Sequence, residues 1–209
     1  MKTIFTEIYN KNIWGSKESI SGPGSELLQT ITLRAELSKF IEKKQITKII
    51  DAPCGDFNWM KEIINSQIDY LGIDIINSLI ENNCKKYPEY KFIVGNLLNY
   101  QFPMCDLIIC RDCLVHLSTG DIFTFFNNIK HCNFKFIAFT NFIDATRLNT
   151  DIKTGYWRLL NLQKHPFNFD VPYYNILENC TECDGIYTDK SLSIYTNEQF
   201  IRFIEMRRF

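Results

Sequence analysis

The stretch IIDAPCGDFNWM, from Ile49 to Met60, restricts the possible folds more than any other part of the chain. Two apolar residues run into Asp51, then into a turn carrying Pro53 and Gly55, then into Phe57, Met60, Ile63 and Ile64 at helical spacing. This order predicts the strand, tight turn and helix of a nucleotide-binding βα unit, in which backbone N–H groups and a helix N-terminus aim at a ligand. A second apolar run, YLGIDII, reaches Asp74 twenty-three positions after Asp51. An acid at the end of the second strand is placed to accept hydrogen bonds from two ribose hydroxyls. The turn alone is weak evidence, but turn and acid together predict an adenosine site.

The strings DAPCGDFNWM, GIDI, GNLL and CRDCLVHL follow one another along the chain. In that order they resemble the class I methyltransferases that use S-adenosylmethionine, in particular a bacterial-type group of unassigned substrate. The resemblance runs from about Ile13 to Tyr195. It implies a Rossmann-like, seven-stranded, mostly parallel sheet with helices on both faces and an antiparallel last strand. It also implies cofactor contacts from Asp51, Ala52, Pro53, Cys54 and Gly55 in the turn, from Asp74 and Ile75, from Asn96 and Leu97, and from Cys110 and Arg111. Of the usual three glycines only Gly55 is present, because Pro53 and Phe57 replace the first and third. A dinucleotide needs close backbone approach to its pyrophosphate at several glycines. S-adenosylmethionine carries no phosphate, so a turn with less glycine suffices.

A chain of 209 residues is long enough for a substantial core and is most simply one domain. The expected division is a lid loop and helix over 1–45, a cofactor-binding core over 46–140, and an acceptor-binding wall with the last strands over 141–209. Hydrophobic residues make up 45% and charged residues 22%, as in ordinary globular chains. The formal net charge of -1 supplies no overall drive toward nucleic acid or an anionic membrane. Arg202, Arg207 and Arg208 form the one compact basic group and read as a solvated helix end. With no apolar run of signal-peptide or membrane-spanning length, a cytoplasmic protein is expected. In a reducing compartment its eight cysteines should be mostly buried thiols.

Taken in order, IWGSKESISGPGS (13–25) is a Gly- and Ser-rich loop containing Trp14, either a core plug or part of a lid over the cofactor, as the resemblance favours. Ser25 is expected to cap a helix reaching about Lys44, with Leu27, Leu28, Ile31, Leu37, Phe40 and Ile41 on its apolar face. Arg34, near its start, is placed either to meet the methionine carboxylate or to lie at the surface. Another helix should run from Asn77 to Tyr87 and stop before Pro88. The strand KFIVG then leads to Asn96, where the related family often has an acid that accepts from the adenine amino group. The Asn carbonyl oxygen can do the same, or Asn96 simply makes the turn. DLIIC reads as a buried central strand, and Ser118 as the cap of a helix leading into KFIAFT. From Asn141 to Asp170 no period is visible, yet the segment is too aromatic for disorder, so Tyr156, Trp157 and Arg158 are assigned to the acceptor wall. Last strands are expected at 173–177 and 191–195.

Methyl transfer from a sulfonium needs alignment and exclusion of water, and a hydroxyl acceptor also needs a base. Asp112 and His116, beyond the carboxyl end of the DLIIC strand, are the candidates, with Arg111 as an alternative contact for an acidic acceptor. For His116 a purely structural hydrogen-bonding role competes. The pairs Cys110/Cys113 and Cys180/Cys183 have the spacing of a four-thiolate zinc site. Against zinc, the first pair starts at the end of a buried strand and the pairs lie far apart, so no metal is expected. The leading function is methylation of a small or medium acceptor, most simply an oxygen of a sugar. A nucleic-acid methyltransferase and a catalytically silent cofactor-binding partner subunit are the alternatives.

Overall fold

A computed structural model describes residues 1–206 of the chain. Arg207 and Arg208 of the expected basic group lie outside the described residues. The strands are β1 (Lys48–Asp51), β2 (Asp69–Asp74), β3 (Lys91–Val94), β4 (Leu107–Cys110), β5 (Phe136–Phe142), β6 (Tyr174–Leu177) and β7 (Lys190–Thr196). They form one sheet in the order β3-β2-β1-β4-β5-β7-β6. The pairs β1–β2, β1–β4, β2–β3 and β4–β5 are parallel, whereas β7 runs antiparallel to both β5 and β6.

Side chains alternate across each strand, and the alternation divides the core in two. On one face Ile49, Leu107, Ile109, Ala138, Leu192 and Ile194 pack with Leu33, Leu37, Phe40 and Ile41 of helix α2 (Ile31–Lys43) and with Ile80 of α3 (Asn77–Lys86). On the other face Ile50, Ile108, Ile137, Phe139 and Tyr195 meet Ile122, Phe125, Phe126 and Ile129 of α4 (Thr119–Ile129) and Phe200 and Phe203 of α6 (Asn197–Met206). The all-apolar LIIC of β4 is buried at every position because helices cover both of its faces. As expected, the Ser118 side chain caps α4 by accepting from the Asp121 N–H at 3.1 Å.

Two sequence expectations give way. No α-helix follows β1; a short 3-10 turn at Met60–Glu62 stands there instead. Gly55 and Phe57 both have left-handed backbones, with φ of 52° and 62°, which a helix cannot continue through. For Phe57 that conformation costs about 1–2 kcal/mol. It places the ring, only 1% exposed, against Tyr70, Tyr87, Tyr90 and Phe92 with centroids 4.8–5.3 Å away. Full burial of a phenylalanine contributes about 1.5–3 kcal/mol, enough to offset the strain. Second, α2 starts at Ile31 with Thr30 before it, so Ser25 caps nothing, and Leu28 and Ile31 are exposed. In addition, Lys2–Asn10, for which no element was expected, forms helix α1, with Met1 and Phe5 packed against the core. Among the described residues, no helix is long and apolar enough to cross a membrane.

Candidate active site

The strand order reverses between β1 and β4, and ligands in such sheets bind beyond the carboxyl ends at that point. Three adjoining cavities lie there. One runs from Asp74, Ile75 and Leu97 past Pro53 and Gly55 to Cys113 and His116. Another continues from Gly55 to Asp51, Cys54, Trp59 and Arg111. The third, of about 280 Å³, opens beyond Asp112 and His116 between Phe142, Trp157, Tyr187 and Lys190. Trp14, Ser21 and Asp112 border all three.

Asp74 ends β2 with one carboxylate oxygen accepting the Ile76 N–H at 3.0 Å and the other the Gly55 N–H at 3.3 Å. A carboxylate offers about four lone-pair sites, so each oxygen keeps capacity for a further donor such as a ribose hydroxyl. Burial pushes its pKa up to about 6 against these hydrogen bonds, with Asp56 adding to the rise. Asp51 is pushed up to about 7 by burial, opposed by the Tyr70 hydroxyl that donates to it at 2.9 Å and raised further by Asp74. Asp74 thus raises Asp51 while Asp56 raises Asp74, and crowded carboxylates are relieved by a cation and repel phosphate.

The loop before α2 closes over this cleft and is tied to the turn beneath it. Asp56 accepts from the Ser19 hydroxyl at 2.9 Å, the Ser21 hydroxyl at 3.0 Å and the Ile20 N–H at 3.0 Å. Asn58 donates to Glu18 at 2.8 Å and to the Ser25 carbonyl at 3.1 Å. The approach at Gly55 is so close that a Cβ there would stand 2.2 Å from the Ser21 hydroxyl oxygen. Trp14 sits within this loop with its ring 5.3 Å from that of His116.

Arg111, at the end of β4, is buried and bidentate on Glu178, through Nη2 at 2.7 Å and Nε at 3.2 Å. Its Nη1 lies 3.1 Å from Asp112, Nη2 donates to the Gly24 carbonyl at 2.9 Å, and the guanidinium stands 5.4 Å over the Trp59 ring. Lys190, at the start of β7, reaches Asp112 at 2.8 Å and Glu182 at 3.3 Å. Glu182 belongs to a single turn, α5 (Glu182–Gly185). Burial favours the neutral acid at Asp112, but Arg111 and Lys190 outweigh it and hold the carboxyl well below the usual range. Asp112 therefore stays ionised between two cations and is a poor proton acceptor, contrary to its expected role as a base.

His116 is the better base. Its Nδ1 lies 3.0 Å from the Tyr156 carbonyl oxygen, which can only accept, so Nδ1 carries the proton and Nε2 keeps its lone pair. Burial lowers its pKa, with the Tyr156 carbonyl and Asp112 opposing. The ring borders both the cleft below Asp74 and the third cavity.

Other expected contacts are consumed elsewhere. Arg34 donates to the Leu27 carbonyl at 2.9 Å and to the Thr30 hydroxyl at 3.3 Å and does not border the cleft. Asn96 turns its side-chain oxygen to the Leu98 N–H at 3.0 Å, leaving Gly95 and Leu97 beside the cavity. Ala52 and Cys110 are fully buried behind it. Of the acceptor trio only Trp157 lines the third cavity; Tyr156 is 68% exposed. Arg158 is buried beneath the turn, donating to the carbonyls of Leu114 at 3.2 Å and Leu117 at 2.8 Å. Among the described residues no group of three or more His, Cys, Asp or Glu side chains is placed to hold a metal ion. Cys180 is buried and Cys183 exposed.

Sequence reading missed Ser21, Tyr187, Phe142 and Glu178, and also the α1 residues Met1, Phe5 and Tyr9 that border the cleft. Met1, Phe5 and Ile8 recur at helical spacing, a signal that would have found α1. A lone Glu178 gives no such signal.

No family model matches the chain, and no curated protein matches it. Among solved structures, magnesium protoporphyrin IX methyltransferase from Synechocystis, with bound SAH, has a TM-score of 0.53 at 13% identity, over 70% of this chain and 74% of that one. Human N-acetylserotonin methyltransferase, in complex with SAM, has a TM-score of 0.51 at 16% identity over 70% of this chain and 44% of that one. A third match, the methyltransferase domain of a bacterial Hen1, has a TM-score of 0.47 at 15% identity, and the chain spans 66% of its length. The chain thus has the Rossmann-like fold of the first two of these structures.

Proposed function

We propose that the chain is an S-adenosylmethionine-dependent methyltransferase acting on a hydroxyl oxygen of a small acceptor such as a sugar. The observation that carries this reading is that an acidic cleft beneath Asp74 and an aromatic cavity beside Lys190 meet at His116. Asp74 would hold the ribose, and Ile75 and Leu97 would flank the adenine. Asp51 and Asp74, both raised by burial and further by one carboxylate neighbour each, suit a cationic ligand and disfavour a dinucleotide pyrophosphate. When bound, S-adenosylmethionine supplies a methyl group already activated on a sulfonium. The chain aligns the acceptor, excludes water beneath the 13–25 loop, and takes the acceptor proton on Nε2 of His116. The solved structures that share the fold act, by their names, on a porphyrin and on N-acetylserotonin, so the fold leaves the acceptor open.

Calorimetry with S-adenosylmethionine tests the reading, and absence of binding refutes it. Asp74→Ala is expected to weaken that binding by about one to two orders of magnitude, the loss of one or two charge-assisted hydrogen bonds. Because Asp74 must be ionised to accept from both hydroxyls, its own contribution to affinity should be level at neutral pH, with Asp51, raised to about 7, adding a separate dependence there. The Asp74 contribution should then decline by up to about tenfold per unit as the pH falls below about 6. In Asp74→Ala that decline should flatten.

A further inference from the structure

We infer that the third cavity takes an uncharged hydroxyl head carried on an apolar body, and not an anionic acceptor such as a uronic acid or a nucleotide sugar. The inference rests on the methyltransferase reading and adds to it the class of acceptor.

The first ground is charge. A carboxylate or phosphate that gives up hydration on seating in the cavity needs a cation of its own, or the loss goes uncompensated. The cavity wall presents Lys190, whose ammonium lies 2.8 Å from Asp112 and 3.3 Å from Glu182, so two carboxylates already share it. The neighbouring cations are engaged as well. Arg111 is bidentate on Glu178, and Arg147, whose guanidinium stands 5.8 Å from the Phe142 ring, donates to both oxygens of Asp189, at 2.6 and 2.5 Å. Arg158, buried beneath the 114–117 turn and outside the cavity lining, donates to its carbonyls through Nη1 alone, with Nε and Nη2 unpartnered. An anion would therefore meet a wall of net negative charge, whereas a hydroxyl group can both donate to Glu182 and accept from Lys190.

The second ground is shape and polarity. Phe142, Trp157 and Tyr187 form one wall, with centroids 5.4 Å apart for Trp157 and Tyr187 and 5.8 Å for Phe142 and Tyr187. The apolar surface continues outward from them. Trp157 is 45% exposed, so this wall forms an apolar rim toward solvent. An acceptor whose head reaches His116 would lay its remainder along this rim, where an apolar body removes surface from water and a charged one does not.

An alkyl or aryl glycoside and a simple phenol share this chemistry, and the test separates them. The full chain loaded with SAH is titrated calorimetrically with octyl glucoside below its micellar concentration, para-cresol, glucuronic acid and UDP-glucose. Turnover is followed separately by release of SAH from S-adenosylmethionine. At least one neutral compound is expected to bind about tenfold or more tighter than either anion, and the better of the two identifies the head. Trp157→Ala should weaken that compound about tenfold and leave SAH affinity unchanged. Glu182→Gln, which frees Lys190 from one of its two carboxylates, should narrow the gap to glucuronic acid. Anions binding as tightly as the neutral compounds, or no binding by any of the four to SAH-loaded protein, overturns the inference alone. Failure to bind SAH overturns the cofactor reading and this inference with it.

Discussion

His116→Gln is expected to lower kcat by about two to four orders of magnitude, roughly 3–5 kcal/mol of transition-state stabilisation, with the protein still folded. Glutamine nearly matches the ring in reach and can still donate to the Tyr156 carbonyl, but it cannot take a proton. The size of the effect follows from the lack, among the described residues that border both cleft and cavity, of a second group able to take a proton. Asp112 is the other titratable group where the cleft and cavity meet, and its carboxylate is held ionised by Arg111 and Lys190. The pH profile separates a base from a merely structural histidine. A general base works when neutral, and burial holds His116 below its ordinary 6.5. The kcat/KM should therefore be level at neutral pH and fall only as the pH drops through a value below 6.5. A His116→Gln protein with kcat within about threefold of the parent would remove His116 from the chemistry.

What could be read in advance divides according to how local its cause is. The β1 turn, the acid closing β2, the buried run of β4 and the Ser118 cap each depend on a few contiguous residues, and each is found where the spacing puts it. The helix after β1 fails because Phe57 prefers an aromatic pocket built by Tyr70, Tyr87, Tyr90 and Phe92, which only the folded chain assembles. Arg34 and Asn96 have the right chemistry for a ligand, yet nearby backbone groups claim both, a competition that residue type does not reveal. Asp112 shows the same limit more sharply. Its position after β4 was legible, but the reversal of its role comes from Lys190, which lies 78 residues away in sequence.

Glu178→Ala should destabilise the fold by about 3–5 kcal/mol, the effect of leaving a buried charge without its partner. The side chains of Arg111 and Glu178 are 4% and 1% exposed, so neither can recover hydration when the other is removed. Asp112 cannot replace Glu178, since it already faces Lys190 at 2.8 Å and meets Arg111 through Nη1 alone. Because Arg111 also ties the Gly24 carbonyl to the end of β4, the loss should loosen the 13–25 loop. Cofactor affinity should then fall even at temperatures where the variant remains folded. Urea denaturation measures the first effect and calorimetry the second. Glu178→Gln, which keeps the shape and one acceptor, should lie between the parent and the alanine variant in both. A Glu178→Ala protein within about 1 kcal/mol of the parent would mean that water reaches Arg111 and that the pair does not hold the loop to the sheet.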